Sequence, residues 1–149
     1  MSPGRPDPGV SMSVPNEVLV IGSSNTDMVL TTERLPTPGE TVLGKDFFVA
    51  HGGKGANQAV AAARAGAKVS FIACLGDDSF GKQALGSIES EGIDTQHVTI
   101  ATDQVSGVAA ILVDQDGENT IVVAPGANSL LKPEMIEKAE SAFDRAAIC

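Results

Sequence analysis

Two short stretches hold the residues whose types and spacing could do chemistry. Asn25 and Asp27 follow the apolar run Glu17–Ile21, and the segment Gly52-Gly53-Lys54-Gly55-Ala56-Asn57 opens an alanine-rich stretch. The first offers an amide that both donates and accepts, beside an acceptor-only carboxylate. The second offers glycine backbone that can approach a ligand closely, amides at the start of a helix, and the polar side chains of Lys54 and Asn57. The glycines do not make a nucleotide loop of either familiar kind. A Walker loop needs its first Gly where Phe48 stands and a hydroxyl residue where Gly55 stands, and a dinucleotide fingerprint needs a third Gly where Gln58 stands. Donors, acceptors and a carboxylate around close backbone suit a small polyhydroxylated molecule such as a sugar.

The elements around these residues follow from hydrophobic pattern. Glu17–Gly22 is a β-branched apolar run ending in Gly-Ser-Ser-Asn, the pattern of a buried parallel strand whose carboxyl end opens into a loop, and this places Asn25 and Asp27 just past the strand. Ligands of open α/β sheets collect at such strand ends. Pro36-Thr37-Pro38-Gly39 predicts a stiff turn, and Glu40–Val49 predicts strands of a small separate sheet. Helix is predicted from Gly55 to Ala65 with Gly66 at its end, strand over Lys68–Leu75, and helix over Ser79–Glu91 closed by Gly92, with Ile93–Ile100 leading outward. Val105–Val113 and Asn119–Ala124, joined by Asp114-Gln115-Asp116-Gly117-Glu118, predict a hairpin that joins the small sheet. Pro133 starts a helix whose apolar face is Met135, Ile136, Ala139, Ala142 and Phe143, reaching to Arg145, and Ala146–Cys149 reads as the opening of a further strand. Strand and helix in alternation predict an α/β fold.

Composition narrows the class. The chain has 149 residues, a net charge of −9 and no cluster of Lys or Arg, which argues against nucleic acid or an anionic membrane surface as partner. No apolar run approaches the roughly 20 residues that span a bilayer. Two cysteines, Cys74 in an apolar run and Cys149, support neither a disulfide framework nor a zinc site and make the cytoplasm the simplest compartment. Residues 1–15 are rich in Pro, Ser and Gly and predict a disordered leader.

The run Gly52–Gly76, with its paired glycines, Gly55, Asn57, Ala59, Gly66 and Gly76, resembles the N-terminal signature of the ribokinase-like (PfkB) sugar kinase family. Gly22-Ser23-Ser24-Asn25-Thr26-Asp27, Pro36-Thr37-Pro38-Gly39-Glu40-Thr41 and Gly126-Ala127-Asn128 agree with the same family, so the resemblance covers nearly everything after the leader. It implies a Rossmann-type three-layer α/β/α sheet, here its N-terminal half over residues 16–149, with a small β-sheet lid whose strands lie near 40–50 and 105–124. It further implies ATP-dependent transfer of phosphate to the 5-hydroxyl of D-ribose, with Mg2+ and an activating monovalent cation (K+), and a homodimer through the lid.

By the same resemblance, Asn25, Asp27, Gly53, Lys54 and Asn57 match the positions that hold ribose, Asp27 accepting from two hydroxyls while the others fix orientation. The family's catalytic base is an aspartate in a second glycine-rich motif. No GAGD-like segment follows the helix at Pro133, so the chain is expected to lack the base, the anion hole and the nucleotide part, and to be catalytically incomplete. His51 departs from the aromatic usual before the two glycines and reads either as a substrate-tuning residue or as an exposed strand-end histidine.

Simpler readings stand beside these. Asn25 and Asp27 could form only an Asx turn, Lys54 could be a solvated lysine, and Asn57 an ordinary first-turn residue. Asp77-Asp78 reads as a loop placed favourably at a helix N-terminus, with no metal assigned. Cys74 reads as core, Gly117 as a turn residue, and Gly107 as a strand bend that borders the sugar. Other functions kept open are another sugar or nucleoside kinase of the family, such as a fructokinase or adenosine kinase, and a non-catalytic sugar-binding or dimerisation module.

Overall fold

The computed structural model describes residues 16–149; the predicted leader lies outside them. Strand β1 (Glu17–Ile21) leads into β2 (Asn25–Thr32) and β3 (Gly44–Gly52), then α1 (Lys54–Arg64), β4 (Lys68–Gly76), α2 (Ser79–Ser90) and β5 (Val98–Ala101). The hairpin β6 (Gly107–Val113) and β7 (Asn119–Ala124) follows, then a 3-10 turn at Gly126–Leu130, the short helices α3 (Pro133–Glu137) and α4 (Glu140–Arg145), and β8 (Ala146–Ile148).

The strands form two sheets. The first is parallel in the order β5-β4-β1-β8, and the second is mixed in the order β3-β2-β6-β7. In the first sheet, alternation sends side chains into two layers. Val20, Phe71 and Ala73 pack with Ala56, Ala59 and Ile88 of α1 and α2, while Leu19 and Ile72 pack with Ala139 and Ala142 at the opposite face. Helices therefore cover both faces, which is why β4 is buried at every position after Lys68 and reads as one continuous apolar run. The fold is α/β.

Three expectations need correction. Asn25 and Asp27 do fall just past β1, but in β2 and not in a loop, in register with Gly52 and Ala50 of β3, because the chain leaves β1 through only Gly22–Ser24 and immediately enters the second sheet; this also rules out the Asx-turn reading. Ile93–Ile100 does not lead outward: Asp94 bridges to Ser70, and β5 pairs parallel to β4 as an edge strand of the main sheet. The helix predicted from Pro133 to Arg145 is broken at Ala139, whose φ of −95° and ψ of 22° leave helical geometry, and i→i−3 bonds from Ala139 and Ala142 tighten the break. The helical phase is lost there, so Phe143 is exposed while Ala139 and Ala142 lie flat on Leu19 and Ile72.

Candidate functional site: a polar cleft between the two sheets

The glycines of the Gly52–Asn57 segment are needed for backbone to meet backbone. Gly53 has φ +94°, in the left-handed region, and a Cβ there would stand 2.7 Å from Ser23 O and from Ser24 Cα. A Cβ on Gly55 would stand 2.7 Å from Gly22 Cα, so α1 begins pressed on the turn between β1 and β2. The amide of Ala56 donates to Ser23 O at 3.0 Å, so this one first-turn donor holds the turn and is not offered to a ligand. Gly52 leaves room for the Asp27 carboxylate, which lies across it where any side chain would collide.

This packing brings the sequence-predicted residues together. Asn25, Asp27, Gly53, Lys54 and Asn57 all line one open cleft of about 440 Å³, with Ser23, Asn128 and an apolar wall of Ala109, Ile111, Ile121 and Val123. The wall follows from register: Asp27 stands beside Ala109, Ala109 opposite Val123, and Ile111 opposite Ile121, all on one face of the second sheet. The carboxylate of Asp27 and the side chains of Lys54 and Asn57 make no hydrogen bond or ion pair among the described residues. Burial pushes the Asp27 carboxyl above its ordinary value. The cleft thus presents an unpartnered carboxylate, an ammonium and two amides beside hydrocarbon, a combination that takes a molecule with hydroxyls on its edge and C–H groups on its face.

Sequence reasoning assigned no role to Asn128, or to the apolar wall. Asn128 was visible within Gly126-Ala127-Asn128, but nothing local places it beside Asn25, 103 residues away. Its Oδ1 accepts from Ser24 N at 2.9 Å, and its Nδ2 donates to Ser24 O at 3.0 Å and Asn25 Oδ1 at 2.9 Å. Gly107 does border the cleft's polar floor: a Cβ there would run into Asn128 Nδ2 and Asn25 Oδ1.

Other residues fall elsewhere. His51 is exposed near the end of β3 and lines a separate groove of about 520 Å³ between α1 and α2, not the polar cleft, so a role in choosing the cleft's ligand has no contact to act through. Asn57 borders both spaces. The larger groove is lined by Val60, Ala61, Ala84 and Ile88 together with Arg64 and Glu91, which pair with each other, whereas the charged groups of the smaller cleft, Asp27 and Lys54, have no partner among the described residues. Asp78 caps α2 by accepting from Gly81 N at 2.8 Å, and also accepts from Ser106 N and Oγ, which lowers its pKa despite burial acting the other way. The neighbouring Asp77 accepts from Asp103 N at 3.0 Å. Cys74 is buried in the core, which raises its thiol pKa.

A parallel sheet sandwiched by helices, with a second sheet rising over a polar cleft at its strand ends, defines an α/β protein whose cleft lies where ligands of open α/β sheets collect. Residues 15–149 match the pfkB family of carbohydrate kinases, and the chain belongs to that family. It is 48% identical over 122 residues to a ribokinase of Haemophilus influenzae, an alignment covering 82% of this chain and 40% of the relative. It is 44% identical over 131 residues to a ribokinase of Mus musculus, covering 88% and 41%. The solved structure of Arabidopsis thaliana ribokinase complexed with ribose and ATP superposes with a TM-score of 0.67 at 33% identity, over 77% of this chain and 38% of that one. The chain therefore spans about 40% of the length of the relatives it matches.

Proposed function

We propose that these residues form the sugar-holding part of an ATP-dependent kinase that phosphorylates the 5-hydroxyl of D-ribose. The single observation that carries this reading is the convergence of Asn25, Asp27, Gly53, Lys54 and Asn57 on one cleft with an apolar wall. In this reading the Asp27 carboxylate accepts from two sugar hydroxyls, Asn25, Lys54 and Asn57 fix the remaining ones, and Gly53 lets the backbone approach. The side chains of Ile111, Ile121 and Val123 cover the C–H face of the ring. Holding the sugar in one pose is the contribution such residues make to phosphoryl transfer, which depends mainly on positioning and charge stabilisation. Kinship with ribokinases, one of them solved with ribose and ATP, supports the choice of sugar and nucleotide.

ATP, Mg2+ and K+ belong to the proposed reaction; among the described residues no group of three or more His, Cys, Asp or Glu side chains gathers to hold Mg2+, and the 149 residues contain no GAGD-like motif. The 149 residues by themselves are proposed to bind sugar without turning it over. The second sheet acts as a lid, and its outer face, with Phe47, Val49 and Val122 exposed, pairs with a second copy. The cytoplasm suits two unpaired cysteines, and among the described residues no helix is long and apolar enough to cross a membrane.

Isothermal titration calorimetry with D-ribose, D-fructose and adenosine tests the reading. Saturable heat with ribose and weaker heat with the other two is expected; preference for adenosine would reassign the cleft to a nucleoside. Sedimentation tests the assembly, where a strict monomer at high concentration would contradict pairing through the lid.

A further inference from the structure

The cleft's polar floor contains a residue that touches the second sheet's first strand from a distant part of the chain, and its hydrogen bonds fix which way its amide faces. Asn128 receives the Ser24 amide on one side at 2.9 Å. A backbone N–H is only a donor, so the atom facing it must be the carboxamide oxygen. On the other side stand three acceptors, Ser24 O, Pro125 O and Asn25 Oδ1, at 2.9–3.0 Å, which share the two hydrogens of Asn128 Nδ2. Two backbone carbonyls cannot donate, so the Asn128 amide cannot be turned over without losing all of these bonds. The orientation of Asn25 follows in turn. Its Oδ1 is committed to Asn128, and its Nδ2 makes no hydrogen bond among the described residues. Gly107 seals the back of the pair, because a side chain there would occupy the space between Asn128 Nδ2 and Asn25 Oδ1.

We propose that Asn128 is a positioning residue that locks the Asn25 carboxamide with its NH2 toward the cleft, so that this subsite accepts only a ligand oxygen with a free lone pair. The inference rests on the sugar reading for the identity of the ligand, but not for the orientation of the amide. Beside Asp27, which can only accept, the locked Asn25 makes a fixed pattern of one donor edge and one acceptor edge, and a freely rotating Asn25 would lose it. The substitution Asn128→Asp keeps an acceptor for Ser24 N while removing every donor. It sets a carboxylate against Asn25 Oδ1, and Asn25 turns its NH2 toward that carboxylate and its oxygen toward the cleft.

The test is a double-substitution cycle in the full 149-residue chain, read by calorimetry with D-ribose and by the side-chain amide resonances of Asn25 in 1H–15N spectra. Asn128→Asp is expected to weaken ribose binding by about tenfold, the scale of one hydrogen bond lost and a buried polar group left misdirected. Asn25→Ala weakens it similarly, and the double variant is no weaker than Asn25→Ala alone. Losses that multiply would overturn the inference, because Asn128 would then act without Asn25. Without any sugar present, Asn128→Asp should move the Asn25 NH2 resonances while the backbone amides of β4 hold still. An Asn25 pair that does not move would overturn the inference as well. If Asn128→Asp does not fold, the reciprocal variant serves: Asn25→Ala must shift the NH2 resonances of Asn128, and unshifted resonances overturn the lock. Should the wild type bind no ribose while the Asn25 resonances respond as expected, the sugar reading falls and the lock stands.

Discussion

The two sheets of this molecule are built from similarly apolar strands and put them to opposite uses. In the parallel sheet, Leu19, Phe71, Ile72 and Leu75 are at most 1% exposed, and both faces are closed by helices. In the second sheet, β7 is exposed along its whole length, and Phe47, Phe48, Val122 and Val123 are half or more exposed. Register separates those residues by face: Phe48, Ile111, Ile121 and Val123 share the face of Asp27, and Phe47, Val49 and Val122 share the other. The first sheet uses hydrocarbon to hold the chain together. The second offers it outward, on one side to the proposed sugar and on the other to the proposed second copy.

Breaking the comparison from the stable side should give the largest effect. Phe71→Ala leaves a cavity at the centre of the main core and is expected to cost about 3–5 kcal/mol, whereas Val122→Thr on the outer face of the second sheet should stay within about 0.5 kcal/mol, both read from urea unfolding. Equal losses would mean that the second sheet carries core packing of its own. Next comes the joint between the sheets. Gly53→Ala forces a side chain into left-handed backbone against Ser23 and Ser24, and a loss of about 1–3 kcal/mol is expected together with loss of sugar binding.

The inner strands of the main sheet were legible because burial on both faces leaves an unmistakable signature, whereas its edge strand β5, only partly buried, was not. Lys68–Leu75 reads as a strand without knowledge of its neighbours, and Gly66, at φ +92°, ends α1 as its position suggests. The second sheet was legible only in part. Its hairpin is announced by Asp114, whose carboxylate accepts from Asp116 N and Glu118 N, and by Gly117 at φ +83°. Its first strand was not visible, because Asn25-Thr26-Asp27-Met28 lacks clean alternation and its pairing with β3 and β6 is set at long range. The candidate site shows the same division. Asn25, Asp27, Gly53, Lys54 and Asn57 could be picked out from two local motifs, but Asn128 and the wall from β6 and β7 arrive only through topology. The break at Ala139 has no sequence mark either, since neither Gly nor Pro stands there.

A gentler variant separates binding from stability. Asp27→Asn removes a carboxylate that burial makes uncomfortable, and because its folded pKa is raised, the charged form costs the fold stability above that pKa. The cost disappears as pH falls through the raised pKa and below the ordinary 3.8. The variant should therefore be at least as stable as wild type at pH 7, lose that margin in acid, and bind ribose about tenfold more weakly or worse. Wild-type affinity should likewise fall on acidification as Asp27 takes up its proton, measurable by calorimetry across pH.

The smallest effect lies at the turn before β3. Glu40 accepts from Thr37 N and Oγ and pairs with Arg34, which holds its carboxyl down at about 2. A depressed carboxyl contributes stability above its unfolded value of 4.5 that is lost as pH falls toward 2. Arg34→Ala should raise the Glu40 midpoint in a carboxyl NMR titration and leave sugar binding unchanged, since this turn is outside the cleft; a change in ribose affinity would couple the two.

The most direct measurement is a D-ribose titration of the 15N-labelled chain. Saturable shifts concentrated at Asn25, Asp27, Gly53, Lys54 and Asn57, with the α1–α2 groove around Arg64 and Ala84 silent, are the expected result. No saturable shifts, or shifts confined to that groove, would contradict the assignment of the cleft to the sugar.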